Sequence, residues 1–187
     1  MFYKKLNLDY SDLLDCVTKF RNSNVDQWMN PSGQHDHFYI DITSDLYLTS
    51  TYSTLSSLIG NLKIRSFVFF KCSPGAKGNI HKDGSEITFN FPISSAVDGK
   101  QIWVIPDTDI DPVLGGRTPA VYNTMPNYKE LDTLVLDKPA VCKVNEWHLV
   151  DNSKNIKERN VIALRFWTDL SYNEMIDKLR PIWSETQ

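Results

Sequence analysis

The spacing of apolar residues changes twice along the chain and divides it into a helical start, a β-rich middle and a helical end. Residues 11–20 carry an apolar stripe at helical spacing, with Ser11 placed to cap the helix, and residues 52–62 carry a second stripe. From residue 63 the period falls from 3.6 to 2, and alternating segments continue to residue 168. Ser171-Tyr172-Asn173-Glu174 then has the pattern of a capping box, which predicts a last helix that stops near Pro181.

Turn residues divide the β-rich part into about eight short strands after an early one, with no helices between them, which disfavours a parallel α/β sheet. The fold class is therefore predicted to be mainly β: a double-stranded β-helix of the jelly-roll or cupin-like type with flanking N- and C-terminal helices. The predicted strands are residues 38–42, 64–71, 81–83, 86–93, 101–105, 133–136, 140–144, 146–150 and 159–168.

The length of 187 residues suits a single domain, with a helical support over 1–62, a β-helix core over 63–168 and a C-terminal helix over 169–187. Residues 106–128 interrupt the core. They contain four prolines and Gly115-Gly116, which predicts a long inserted loop. Long loops in compact domains often serve as lids or binding loops.

Composition narrows the function further. The net charge of −3 and a pI of about 5.8 leave no footprint for nucleic-acid binding. No signal peptide and no apolar run of membrane-spanning length is visible, so a soluble cytoplasmic protein is expected, with no membrane partner. The three cysteines are widely spaced and form neither a disulfide framework nor a zinc ribbon.

The candidate chemistry centres on His81, Asp83 and His148. His81 and Asp83 are two residues apart, so an extended strand directs both side chains to one face. Two histidines and one carboxylate are the ligand set of non-haem ferrous iron, and His148 on a late strand is the candidate third ligand. Without that context, His81 would be a surface residue and Asp83 a turn residue beside Gly84.

A basic residue follows the histidine strand. Arg159 comes eleven residues after His148, and its planar guanidinium suits a distal carboxylate of a 2-oxo acid. Arg165 lies six residues further, on the same face of the predicted strand, and is the alternative anchor.

These residues resemble the iron(II)/2-oxoglutarate-dependent dioxygenases, particularly the small branch related to aspartyl/asparaginyl β-hydroxylases and prolyl-hydroxylase-like proteins. The resemblance covers residues 64–167 and is carried by His81-Lys82-Asp83-Gly84, Phe89-Asn90-Phe91-Pro92-Ile93 and Trp147-His148-Leu149-Val150-Asp151-Asn152, which leads to Arg159. Typical aspartyl β-hydroxylases lack the carboxylate ligand, so Asp83 places this chain nearer the members with a full triad.

The resemblance implies that His81, Asp83 and His148 bind Fe(II) and that Arg159 binds the C5 carboxylate of 2-oxoglutarate. It also implies that Asn90 and Asn152 lie near this co-substrate. The implied reaction hydroxylates a peptide side chain or a small molecule while 2-oxoglutarate is decarboxylated to succinate. The oligomeric state is not predicted.

Two alternatives remain open from the sequence. His35 and His37, in a predicted polar loop, complete the four histidines of the chain with His81 and His148, and three of the four with a carboxylate could form a cupin-like site with isomerase, dioxygenase or metal-storage chemistry. The chain could also be a non-enzymatic β-sandwich binding module that uses residues 106–128 as a recognition loop.

Overall fold

In the computed structural model, two antiparallel sheets of six strands each lie face to face. The structure describes residues 1–23, 35–40, 44–60, 62–93, 99–115 and 118–184. The strands are β1 Tyr3–Lys5, β2 His35–Ile40, β3 Lys63–Cys72, β4 His81–Lys82, β5 Ile87–Pro92, β6 Lys100–Asp107, β7 Val113–Gly115, β8 Thr118–Val121, β9 Asn127–Val135, β10 Ala140–Lys143, β11 His148–Asp151 and β12 Arg159–Trp167. The helices are α1 Ser11–Ser23, α2 Ser44–Tyr47, α3 Ser50–Ile59 and α4 Tyr172–Lys178, and a 3-10 turn follows at Arg180–Ile182.

The strand order identifies the fold. The first sheet runs β1-β10-β5-β12-β3-β2 and the second runs β7-β8-β4-β11-β6-β9. From β3 to β6 the chain alternates between the sheets, and it alternates again from β9 to β12. Four strands of each sheet therefore interleave as in a jelly roll. The prediction of a mainly β, double-stranded β-helix with flanking helices is confirmed.

The helices cover the outer face of the first sheet. Ile87, Phe89 and Phe91 of β5 point into a core shared with α1, α3 and α4, as their alternation predicts. Thr88 and Asn90 are buried on the opposite face, between the two sheets. Strand β5 lies between β10 and β12, so Pro92 marks the end of a central strand and not an edge.

Trp103 of β6 fills one end of the space between the sheets. It is fully buried and packs against Cys142 and Val161 of the first sheet. Its ring stacks on Phe2 and Tyr3, each at 5.7 Å between ring centroids. Strand β1, which carries Tyr3, pairs with β10 and was not predicted, since three residues give too short a pattern.

The helix ends differ from the predictions. Helix α1 begins at Ser11, and Asp9 rather than Ser11 accepts the first free N–H. Helix α3 begins two residues before the predicted start because Thr49 caps it, and ends at Gly60, whose φ of 104° suits glycine. The capping box at Ser171 is confirmed.

The prediction of a loop over 106–128 is wrong in part. Strand β6 extends through Asp107, β9 begins at Asn127, and β7 and β8 form between them. Strand β8 pairs with the edge of β4, which satisfies that edge. Prolines and glycines lower strand propensity, but an available edge from a distant strand outweighs this local preference.

The predicted polar loop at His35 and His37 is also wrong. Both residues belong to β2, which pairs with β3 through His35–Cys72 and His37–Phe70. Residues 24–34, which precede β2, and the end of the predicted strand 38–42 lie outside the described residues. Within the described part of the chain, no helix is long and apolar enough to cross a membrane.

Candidate metal centre

His81 and His148 are direct cross-strand neighbours. They pair between β4 and β11, and their ring centroids are 4.3 Å apart. His148 is buried, whereas His81 is partly exposed. Residues that lie opposite each other in a sheet share a face, so two imidazoles distant in sequence project into the same space between the sheets.

The orientation of both rings is set by backbone carbonyls. His81 Nδ1 lies 2.9 Å from the carbonyl oxygen of Asn79, and His148 Nδ1 lies 2.8 Å from that of Glu146. Because a carbonyl oxygen only accepts hydrogen bonds, each Nδ1 carries the proton and donates it. With Nδ1 as the donor, a neutral imidazole keeps its lone pair on Nε2, which is the atom that can bind a metal.

Asp83 completes the group, although β4 ends one residue before it. Its backbone N–H donates to the carbonyl of Val144 at 2.8 Å, which fixes its position. Its Oδ1 lies 3.7 Å from His81 Nε2, and its Oδ2 accepts a hydrogen bond from Arg165 Nη2 at 2.5 Å. The candidate ligand atoms of His81, Asp83 and His148 all lie within 4.8 Å of one another.

Local electrostatics favour the protonation states that bind a metal. Burial, with a further contribution from His81, lowers the pKa of His148 to about 4. Burial acts to raise the pKa of Asp83, but Arg165 and then the two imidazoles outweigh it and lower that pKa overall. At neutral pH His148 is neutral and Asp83 is a carboxylate, and this nitrogen and oxygen donor set fits a divalent iron ion.

Arg159 is a buried cation with no ion-pair partner among the described residues. Its side chain is 6% exposed, and burial lowers its pKa. None of the ion pairs within the described ranges involves it, and its Nε and Nη2 have no hydrogen-bond partner there. Its electrostatic neighbours are the thiols of Cys72 and Cys142. A buried guanidinium with free donors is a ready site for a carboxylate.

Polar side chains surround the space near Arg159. Asn90 Nδ2 donates to Gln101 Oε1 at 3.1 Å and lies 3.7 Å from the Sγ of Cys142. Asn152 Nδ2 donates to three backbone carbonyls, so its amide group holds the turn before β12. Asn152 Oδ1 is buried without a partner in the described part of the chain.

The expected residues thus fall into two groups. His81, Asp83 and His148 converge, and Asn90 and Arg159 share one buried region. Arg165 belongs to the first group because it pairs with Asp83, which leaves it unsuited to anchor a second carboxylate. Gln101, which accepts the hydrogen bond of Asn90, was not among the predicted site residues. Its signal in the sequence is a polar residue two positions before Trp103, on the same face of an otherwise apolar strand.

The three tryptophans on or next to strands β6, β11 and β12 occupy different environments. The Trp103 ring lies 6.5 Å from that of His148 between the sheets. Trp147 packs against Tyr122 on the outer face of the second sheet. Trp167 is 58% exposed and lies under Arg65, so it does not line a buried cavity.

Comparison with known proteins identifies the fold but does not assign the chain to a family. No family model and no curated protein matches the chain in sequence. Solved structures do match its fold. HygX from Streptomyces hygroscopicus, with nickel and 2-oxoglutarate bound, is 12% identical over 90% of this chain and 82% of its own, with a TM-score of 0.51.

Two further structures give the same result. AviO1 from Streptomyces viridochromogenes Tue57 is 11% identical over 91% of both chains, with a TM-score of 0.50. The epimerase SnoN, in complex with Fe3+, α-ketoglutarate and nogalamycin RO, is 11% identical over 87% of this chain and 77% of its own, with a TM-score of 0.50. The chain therefore shares its fold with all three proteins, two of which, HygX and SnoN, were solved with a metal and 2-oxoglutarate bound.

Proposed function

We propose that this chain is an Fe(II)/2-oxoglutarate-dependent oxygenase whose catalytic core is residues 63–168. The observation that carries the proposal is the convergence of His81, Asp83 and His148 on one point between the two sheets. A facial set of two histidines and one carboxylate leaves neighbouring coordination positions open, as non-haem oxygenases require.

Each residue has a role in this scheme. His81, Asp83 and His148 would hold Fe(II), and the bound iron would supply oxidative decarboxylation of 2-oxoglutarate to succinate with hydroxylation of a substrate C–H bond. Arg159 binds the C5 carboxylate through its unpaired donors. Asn90 and Asn152 line this end of the site, and burial there excludes water from the bound carboxylate.

The charges favour a dianionic co-substrate. Asp83 and Arg165 form an ion pair and cancel each other. The charge of Arg159, on the first sheet, and that of a divalent cation held by the ligands of the second sheet would remain. A ligand with a carboxylate at each end matches both, whereas a monocarboxylate leaves Arg159 buried and unpaired.

The substrate is proposed to be a small molecule. HygX has been solved with hygromycin B and SnoN with nogalamycin RO, so the same fold accommodates small-molecule ligands in those proteins. A peptide side chain is the alternative substrate of the same reaction.

The test is turnover of 2-oxoglutarate without a prime substrate, measured as succinate formed after addition of Fe(II). We expect slow turnover by the wild type and none by His81→Ala or Asp83→Ala, with unchanged far-UV circular dichroism. Asp107→Ala is the matched control, since Asp107 is an exposed carboxylate outside the site. Unchanged turnover in either site variant would refute the assignment.

The same assay separates the alternatives. A cupin-like isomerase binds a metal but ignores 2-oxoglutarate, and a binding module does neither. His35→Ala and His37→Ala test the cupin-like ligand set directly, since loss of metal binding in either variant would favour it over the triad proposed here.

A further inference from the structure

The two ligand histidines lie in the middle of one row of paired residues that crosses the second sheet. His81 pairs with His148 on one side and with Val121 on the other. The row continues outward from Val121 to Val113 and inward from His148 to Trp103. Because paired residues share a face of the sheet, Val113 and Val121 extend the wall that carries the metal ligands.

Exposure falls steadily along this row. Val113 is 47% exposed, Val121 and His81 are partly exposed, His148 is 3% exposed and Trp103 is fully buried. Beyond Trp103 the row ends at Asp132 of β9, which is partly exposed, so the buried Trp103 ring separates that end from the histidines. Among the described residues of the row, those on the β7 side of His81 are the ones through which a substrate can approach the metal ligands.

The two faces of strand β8 differ in burial. Ala120 and Tyr122, on either side of Val121, are buried, and Tyr122 packs with Ile80 and Leu149 on the outer face of the sheet. Val121 itself is only partly buried, so strand β8 presents an apolar side chain directly beside a metal ligand.

We infer that Val113 and Val121 form a substrate shelf that binds a hydrocarbon group, aliphatic or aryl, next to the C–H bond to be oxidised. This inference rests on the proposed function and names its substrate class. Neither side chain can donate or accept a hydrogen bond, so the group that lies on them gains only from burial of apolar surface. Polar groups of the substrate lie off the shelf, where they remain hydrated.

The test uses protein loaded with Mn(II) and N-oxalylglycine, after calorimetry has shown that both bind. The probes are N-acetyl-leucinamide and N-acetyl-glycinamide, which differ by an isobutyl group. We expect Mn(II) to broaden the methyl protons of the leucine probe in a saturable manner, and to broaden the glycine probe far less.

Val113→Thr with Val121→Thr keeps the side-chain shape and replaces two methyl groups by hydroxyls. We expect the affinity for the leucine probe to fall on the order of tenfold, while Mn(II) and N-oxalylglycine bind as in the wild type. Leu114→Thr is the control, since Leu114 is exposed in the same strand but lies outside the row. If the double variant loses Mn(II) binding, the single variant Val113→Thr replaces it, because Val113 lies two strands from His81. Its affinity for the leucine probe should fall about fourfold.

Equal broadening of the two probes, or unchanged affinity in the valine variants, would overturn the shelf and leave the oxygenase proposal intact. Failure of the wild type to bind Mn(II) and N-oxalylglycine would instead refute the proposed function, and this role for the shelf with it.

Discussion

Two arginines on the same face of β12 should respond in opposite ways to the same substitution. Arg159 is buried and has no ion-pair partner in the part of the chain that the structure describes, whereas Arg165 pairs with Asp83. Methionine keeps much of the length of an arginine side chain and removes the charge. Arg159→Met and Arg165→Met therefore form a matched pair in which only the electrostatic surroundings differ.

The expected stability changes follow from those surroundings. Replacing a whole buried ion pair by well-packed apolar side chains is often neutral or stabilising by about 1–4 kcal/mol, and a buried charge that has no attraction to offset its desolvation should lose no more on replacement. Removing one partner of a buried ion pair destabilises by about 3–5 kcal/mol, because the other charge is left behind. At roughly 2–4 °C per kcal/mol for a chain of this size, Arg159→Met should melt at or above the wild-type Tm and Arg165→Met roughly 10 °C below it.

Binding of the co-substrate should show a different pattern. Loss of a charge-assisted, bidentate contact to a carboxylate costs about 2–5 kcal/mol, or at least about thirtyfold in Kd. We expect Arg159→Met to lose that much affinity for N-oxalylglycine in the Mn(II)-loaded protein while still binding Mn(II). Calorimetry and thermal melts of the same samples measure both effects.

One result would refute this reasoning. If Arg159→Met melted well below the wild type and bound N-oxalylglycine normally, Arg159 would be a structural residue with a partner in the folded protein. The anchor of the second carboxylate would then have to be sought elsewhere.

Two further predictions follow from the same buried region. A methyl group at Gly99 would lie 2.7 Å from Cδ of Arg159, so Gly99→Ala should displace the guanidinium. We expect N-oxalylglycine to bind roughly tenfold or more weakly, with Mn(II) binding unchanged, and equal affinity by calorimetry would contradict this prediction. Burial raises the pKa of Cys72 to about 11 and that of Cys142 to about 12. At pH 8 iodoacetamide should therefore alkylate the half-buried Cys16 first. A similar rate of alkylation at either buried thiol, measured by mass spectrometry, would contradict this prediction.

The parts of the fold that the sequence predicts are those with a strong local pattern. In strands β3, β5 and β12 the residues of one face recur at every second position and pack in the core beneath the helices. The last helix carries its own capping box. The proximity of His81 and Asp83 follows from the period of a strand, and the third ligand was proposed from its position on a late strand.

The parts that the sequence does not predict depend on pairings between distant residues. Strand β8 forms because the edge of β4 is available, and no local signal in 106–128 announces this. The partner of Arg165 is likewise set by Asp83, 82 residues earlier in the chain. From the sequence alone Arg159 and Arg165 were both candidate anchors, and only their tertiary contacts distinguish them.

The buried charge of Arg159, which has no ion-pair partner among the described residues, does not contribute to the stability of the folded protein. An ion pair such as Asp83–Arg165 can be neutral for folding, but a buried guanidinium with free donors lowers the stability of the ligand-free protein. Such a residue persists where a ligand supplies the missing anion, so the loss of stability and the gain in binding come from the same atoms. A protein that binds only a metal has no use for Arg159, whereas one that binds a metal and a dicarboxylate together needs a cation at this end of the site.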